Sequence, residues 1–198
     1  MLVNSVKKAN PRGERFWREL APCEHSVQIY GDDLSFMDAL EGYVSSGLRQ
    51  RESVIVISTA AHLHELEQRL RANWLDVDRA RWEDRYIALL AKETLSLFMV
   101  DGMPDEVRFA GAVTPLLKRA RGTDNRKVRA FGEMVAILWA QGQCAAAIEI
   151  EVMWNKLQAV EQFPLFCAYP RSSFGTEASA SIQGVCAAHT RIIPGYMG

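Results

Sequence analysis

A phosphate-binding loop is missing where the chain is framed for one. The 198 residues contain no G-x-x-x-x-G-K-[ST] stretch, so the Lys and hydroxyl that hold a triphosphate and its Mg²⁺ are absent. No G-x-S-x-G elbow and no local Ser/His/Asp or Cys/His order marks a nucleophile, so no catalytic residue is expected. Cysteine is sparse: Cys23, Cys144, Cys167 and Cys186 stand far apart with no C-x-x-C pair. That spacing favours free thiols in a reducing compartment and predicts no metal site. No apolar run approaches the roughly 20 residues that cross a bilayer. The leading segment Met1–Glu14 is polar and lacks an apolar signal core, so a cytoplasmic location is expected. Net charge is -1, which leaves no basic field for nucleic acid or an anionic membrane. There is no internal repeat and no low-complexity segment.

What is present is an ordinary globular composition, 48% hydrophobic and 24% charged, with enough chain to bury one core. Residues 1–24 read as a tail or short leading helix and 25–198 as a single domain. Strand signals fall at His25–Tyr30, Ser53–Ser58, Tyr86–Leu90, Val128–Phe131 and Phe163–Pro170. Between them lie helical stretches: Leu34–Leu48, Ala60–Leu70, a helix from Pro104 to Arg121, Cys144–Val160 and a weak one at Glu177–His189. Leu95–Val100 is a further apolar run, either a short strand or the lead-in to a helix, and Asn73–Asp84 carries no clear pattern. β-Branched runs without polar alternation point to strands buried on both faces. The expected fold is α/β: an open, mainly parallel five-stranded sheet with helices on both faces and Val27–Tyr30 central.

In such a sheet, ligands bind beyond the carboxyl ends of the strands. That rule selects Tyr30, Gly31 and Asp32; Ser58, Thr59 and His62; Gly132 and Glu133; and Tyr169, Pro170 and Arg171. Each has a plainer role open to it: a turn for Gly31, a helix cap for Thr59, an ion pair with Arg129 or Arg171 for Glu133. The expected ligand-binding set is Tyr30, Gly31, Asp32, Thr59, Glu133, Tyr169 and Arg171, with Glu133 orienting the ligand and the two tyrosines as walls. His25, at the opposite end of its strand, reads as a satisfied polar residue, and Cys167 and Trp154 as core.

Taken together, His25–Tyr30, Gly47–Ile57, Val128–Val135, Leu138–Gly142 and Ile148–Asn155 resemble the MEDS domain in order and spacing. That sensory domain is named for methanogens, methylotrophs and the regulator DcmR, and the resemblance covers about His25 to His189. It implies a RecA/KaiC-like fold with a degenerate P-loop, no cofactor, and sensing of a small organic molecule. It also implies a separate output partner, a histidine kinase or transcription regulator. A homo-oligomer stays open. The competing readings are an ATPase-like nucleotide binder and a ligand-free interaction scaffold.

Overall fold

The computed structural model describes residues 16–174 and 178–193. Most of the expected leading tail lies outside the described residues, as does Glu177; Phe16–Arg18 is helical and Trp17 is buried. The strands are β1 (His25–Tyr30), β2 (Ser53–Ser58), β3 (Tyr86–Leu90), β4 (Met99–Val100), β5 (Met103–Pro104), β6 (Val128–Gly132), β7 (Leu165–Pro170) and β8 (Arg191–Ile193). The helices are α1 (Asp33–Arg49), α2 (Ala60–Ala72), α3 (Val77–Trp82), α4 (Ala91–Ser96), α5 (Glu106–Arg121), α6 (Met134–Ala140), α7 (Cys144–Glu161) and α8 (Ala178–Ala187).

Six strands, not five, form one all-parallel sheet in the order β3-β2-β6-β7-β1-β8. The extra strand is β8, three residues long, which earns its conformation by pairing Ser26–Gln28 with Arg191–Ile193. β1 is therefore fifth of six, with a partner on each side; β6 and β7 hold the centre. Asp101 and Gly102, at φ 48° and 81°, close the β4–β5 hairpin. Two successive positive φ values match the twist of a two-residue hairpin turn. Pro104 belongs to that hairpin and not to a first helical turn; Asp105 caps α5 by accepting from the Arg108 amide.

Helices cover both faces, which explains why β2 is buried at all six positions. Val54, Val56, Phe131, Phe166 and Ala168 pack with Tyr30 against α1, α2 and α3 on the first face. Ile55, Ile57, Ala130, Leu165, Cys167 and Tyr169 pack against α4 to α8 on the second. One charged side chain interrupts the first face: Arg129, 1% exposed, reaches Glu52 and the carbonyl oxygens of Trp17 and Tyr43. Gly47 makes room for it, since a Cβ there would lie 2.7 Å from Arg129 Nε.

The wiring positions the crevice. From β1 the chain steps to β2 and β3, towards one sheet edge, with its helices on the first face. From β3 it returns through β6, β7 and β8, with its helices on the second face. β2 and β6 are thus neighbours whose onward connections diverge. Their carboxyl ends form a topological switch point, where open α/β sheets leave a cleft.

Candidate functional site

At that switch point stands Glu133, the residue after β6 and 5% exposed. Its amide is fixed to the Ile57 carbonyl across the β2–β6 junction, 2.9 Å away. Its carboxylate is held from the β2 side. Ser58 Oγ donates to Oε2, the Thr59 amide donates to the same oxygen at 3.0 Å, and His62 Nδ1 lies 2.8 Å from Oε1. Thr59 Oγ1 meanwhile accepts from the His62 amide at 3.3 Å and caps α2, which sets the first turn so that His62 faces the carboxylate. The expected pairing of Glu133 with an arginine is corrected by this arrangement. Arg129 is on the first face with Glu52, and Arg171 is exposed in a 3-10 turn without an ion pair among the described residues.

The hydrogen bond and charge of Glu133 raise the His62 pKa above 6.5 despite the opposing effect of burial. A folded value raised above the unfolded one adds stability that is complete below pH 6.5 and fades as pH climbs through the folded value. His62→Gln should therefore cost more stability at about pH 5.5 than at about pH 8.5. Urea midpoints of both proteins at the two pH values check this, and a difference that grows with pH contradicts it.

An aromatic flank completes the site. Tyr30 stacks on Phe36 with ring centroids 4.7 Å apart, and Phe36 meets the His62 ring edge-on at 5.0 Å. Burial, then the charges of Glu133 and Asp33, push the Tyr30 hydroxyl pKa up, so it stays a neutral donor. The Ser58–Glu133–His62 wiring differs from a nucleophilic relay, because the hydroxyl donates to the carboxylate and not to the imidazole.

The sheet brings the ends of β6, β7 and β1 side by side, but divides the expected residues between its two faces. Tyr30, Thr59 and Glu133 gather near the switch point. Asp32 is the cap of α1, accepting from the Ser35 amide at 2.8 Å. Gly31 lies outside the left-handed region and a Cβ there would meet open space, so no turn geometry demands it. Tyr169 pairs in register with Ile29, not Tyr30, so its ring lies on the second face against Trp139 and Phe174. The two tyrosines cannot wall one pocket. Ser58 and His62, outside the expected binding set, are instead the partners of Glu133. Two surface hollows lie elsewhere, towards the amino ends of the strands. One of about 270 Å³ is lined by Arg18, Ser45, Ser46, Arg49 and Gln50, and one of about 440 Å³ by Ala21, Cys23, Glu24, Thr190 and Arg191.

The family model described as MEthanogen/methylotroph, DcmR Sensory domain (MEDS) matches residues 24–190. The chain belongs to the MEDS family. No curated protein matches it. The matched span starts one residue before β1 and stops one residue before β8, so the sensory domain includes the Glu133 constellation and five strands of the main sheet. Among the described residues, no helix of this MEDS domain is long and apolar enough to cross a membrane.

Proposed function

We propose that this MEDS domain senses a small organic molecule at the β2–β6 switch point and signals to a separate regulatory partner, a histidine kinase or transcription regulator. The observation that carries the reading is the buried Glu133 carboxylate held by Ser58, the Thr59 amide and His62 at the β2–β6 junction, where the onward connections diverge. Such a group, rigidly oriented and flanked by Tyr30 and Phe36, supplies the few fixed polar contacts and aromatic surface that small-ligand sites use. The same reading takes the fold as a RecA/KaiC-type frame that has exchanged phosphate for another ligand. Its support is the Tyr30–Gly31–Asp32 turn into α1, where carboxylates replace the cation.

Signalling would then follow from charge. Ligand polar groups compete with His62 for Glu133 and alter how α2 is anchored to β6, a local change of the kind that biases a two-state surface.

Native mass spectrometry of the purified protein tests the binding step. A bound organic mass should appear on the wild type and be lost in Glu133→Ala and Tyr30→Ala variants whose circular dichroism is unchanged. A wild type that flies bare, or an adduct that survives in both folded variants, removes the reading. An adduct of nucleotide mass that requires Mg²⁺ replaces it with the nucleotide-binding one.

A further inference from the structure

The amino end of β1 carries a second polar cluster, well away from Glu133 and on the other face of the sheet. His25 opens β1, Cys167 lies in β7, Glu151 projects from α7 and His189 follows α8. Their ligand-type atoms all fall within 4.8 Å of one another. The individual separations are 3.4 Å for His25 Nε2 to Cys167 Sγ and 3.3 Å for His25 Nε2 to Glu151 Oε2. Glu151 Oε1 is 3.4 Å from His189 Nε2, and Glu151 Oε2 is 3.6 Å from Cys167 Sγ. In a tetrahedron with bonds of about 2.0–2.3 Å, neighbouring ligand atoms lie about 3.3–3.7 Å apart, which is the spacing seen for these pairs.

The outer contacts decide how the imidazoles are used. Asn155 Nδ2 donates to the Ala188 carbonyl at 3.0 Å, which turns Asn155 Oδ1 towards His25 Nδ1 at 2.8 Å. His189 Nδ1 lies 2.7 Å from the Val185 carbonyl. Both rings therefore carry a proton on Nδ1, so in its neutral form each directs the Nε2 lone pair inward, the tautomer that second-sphere acceptors impose on metal-bound histidines. Among the described residues, His189 Nε2 has only the 3.4 Å ion-pair contact with Glu151 Oε1 and no hydrogen-bond partner, although its side chain is 0% exposed. Tyr169 Oη donates to Glu151 Oε1 at 2.6 Å and fixes the carboxylate. Two imidazole Nε2 atoms, a carboxylate and a thiol gather in one buried spot.

We infer that His25, Glu151, Cys167 and His189 form a site for a divalent transition ion of the zinc class. Charge balance favours that class: a thiolate and a carboxylate neutralise a 2+ ion, while two neutral imidazoles add none. A protein ligand at each of four positions leaves no open coordination site, so the ion is structural. It ties β1 and β7 to α7 and to the segment that delivers β8. The thiolate excludes magnesium and calcium, which prefer oxygen. Binding releases the thiol proton to solvent, with no change of oxidation state. Linear spacing rules miss such a set because its members come from four separate segments.

Elemental analysis of full-length protein purified without chelator should find about one zinc per chain. After stripping, Co²⁺ titration should give tetrahedral ligand-field bands and a sulfur-to-cobalt charge-transfer band. Cys167→Ser should remove the sulfur band while the ligand-field bands persist, and Asn155→Ala should weaken Co²⁺ binding by about 10–100-fold. A stripped protein that gives a silent cobalt titration and melts at the same temperature with and without Zn²⁺ overturns the assignment. So does a charge-transfer band unaffected by Cys167→Ser.

Discussion

Arg129→Met should lower the stability of the fold by about 3–5 kcal/mol, the range for removing one partner of a buried ion pair. Methionine fills much of the volume but donates no hydrogen bond. Arg129 Nε donates to Glu52 Oε2 at 2.7 Å, and Nη1 donates to the Trp17 and Tyr43 carbonyls at 3.2 and 3.0 Å. Its guanidinium also lies 5.1 Å from the Tyr43 ring centre. All of these are lost together, and the Glu52 carboxylate is left beside the apolar first face. Glu52 keeps 15% exposure, so water recovers part of its solvation and the loss should fall at the lower end of the range. Replacing Glu52 with leucine as well should restore part of the stability, because removing both charges avoids the orphaned one. Urea unfolding of the two single variants and the double variant measures the coupling. A single-variant loss under about 1 kcal/mol would show the pair to be as weakly coupled as a surface one.

The second large effect belongs to the other face. Trp154, 1% exposed on α7, meets Phe109 edge-on at 5.0 Å and Phe163 at 6.2 Å, and its indole nitrogen is the nearest heavy atom to the space a Cβ on Gly132 would take, 3.8 Å away. Trp154→Ala should cost about 3–5 kcal/mol through lost burial and the cavity left behind. Trp154→Phe should cost much less, at most about 2 kcal/mol, for a specific reason. Among the described residues the buried indole N–H has no hydrogen-bond partner, so phenylalanine gives up ring volume while removing an unsatisfied donor. Chemical denaturation ranks the two, and equal losses for Phe and Ala would mean that the N–H is satisfied in solution.

Much of this architecture is legible in the chain. Val54–Ile57 shows no polar alternation because helices cover both faces, so the pattern reports burial and parallel pairing together. Neighbour relations are another matter. Nothing local tells β1 that its partners are β7 and β8, and Arg191–Ile193 is too short to carry a period at all. Glu133 stood out as a carboxylate at the end of an apolar strand, but its partners Ser58 and His62 lie 75 and 71 residues away. Tyr30 and Tyr169 look equivalent in sequence because each lies at or next to the end of an apolar strand. Register separates them, since a one-residue offset in pairing sends a side chain to the opposite face. Cys167 and His25 read as bland because each is unremarkable in its own segment; only the fold places them beside Glu151.

The order of the strands also sets a timetable for synthesis. β1 pairs with β7 on one side and β8 on the other, and the His25 amide donates to Thr190 Oγ1, 165 residues further along. A translating ribosome therefore delivers β1 long before either neighbour exists. Through most of elongation that strand has two bare edges, open to pairing with other nascent chains. The β2–β3 pair can form early, whereas the β1 side of the sheet must wait for the last segments and then close over a long loop, a slow step for a parallel arrangement. Chaperone dependence and any late folding phase should therefore trace to residues 25–30 and their late-arriving partners.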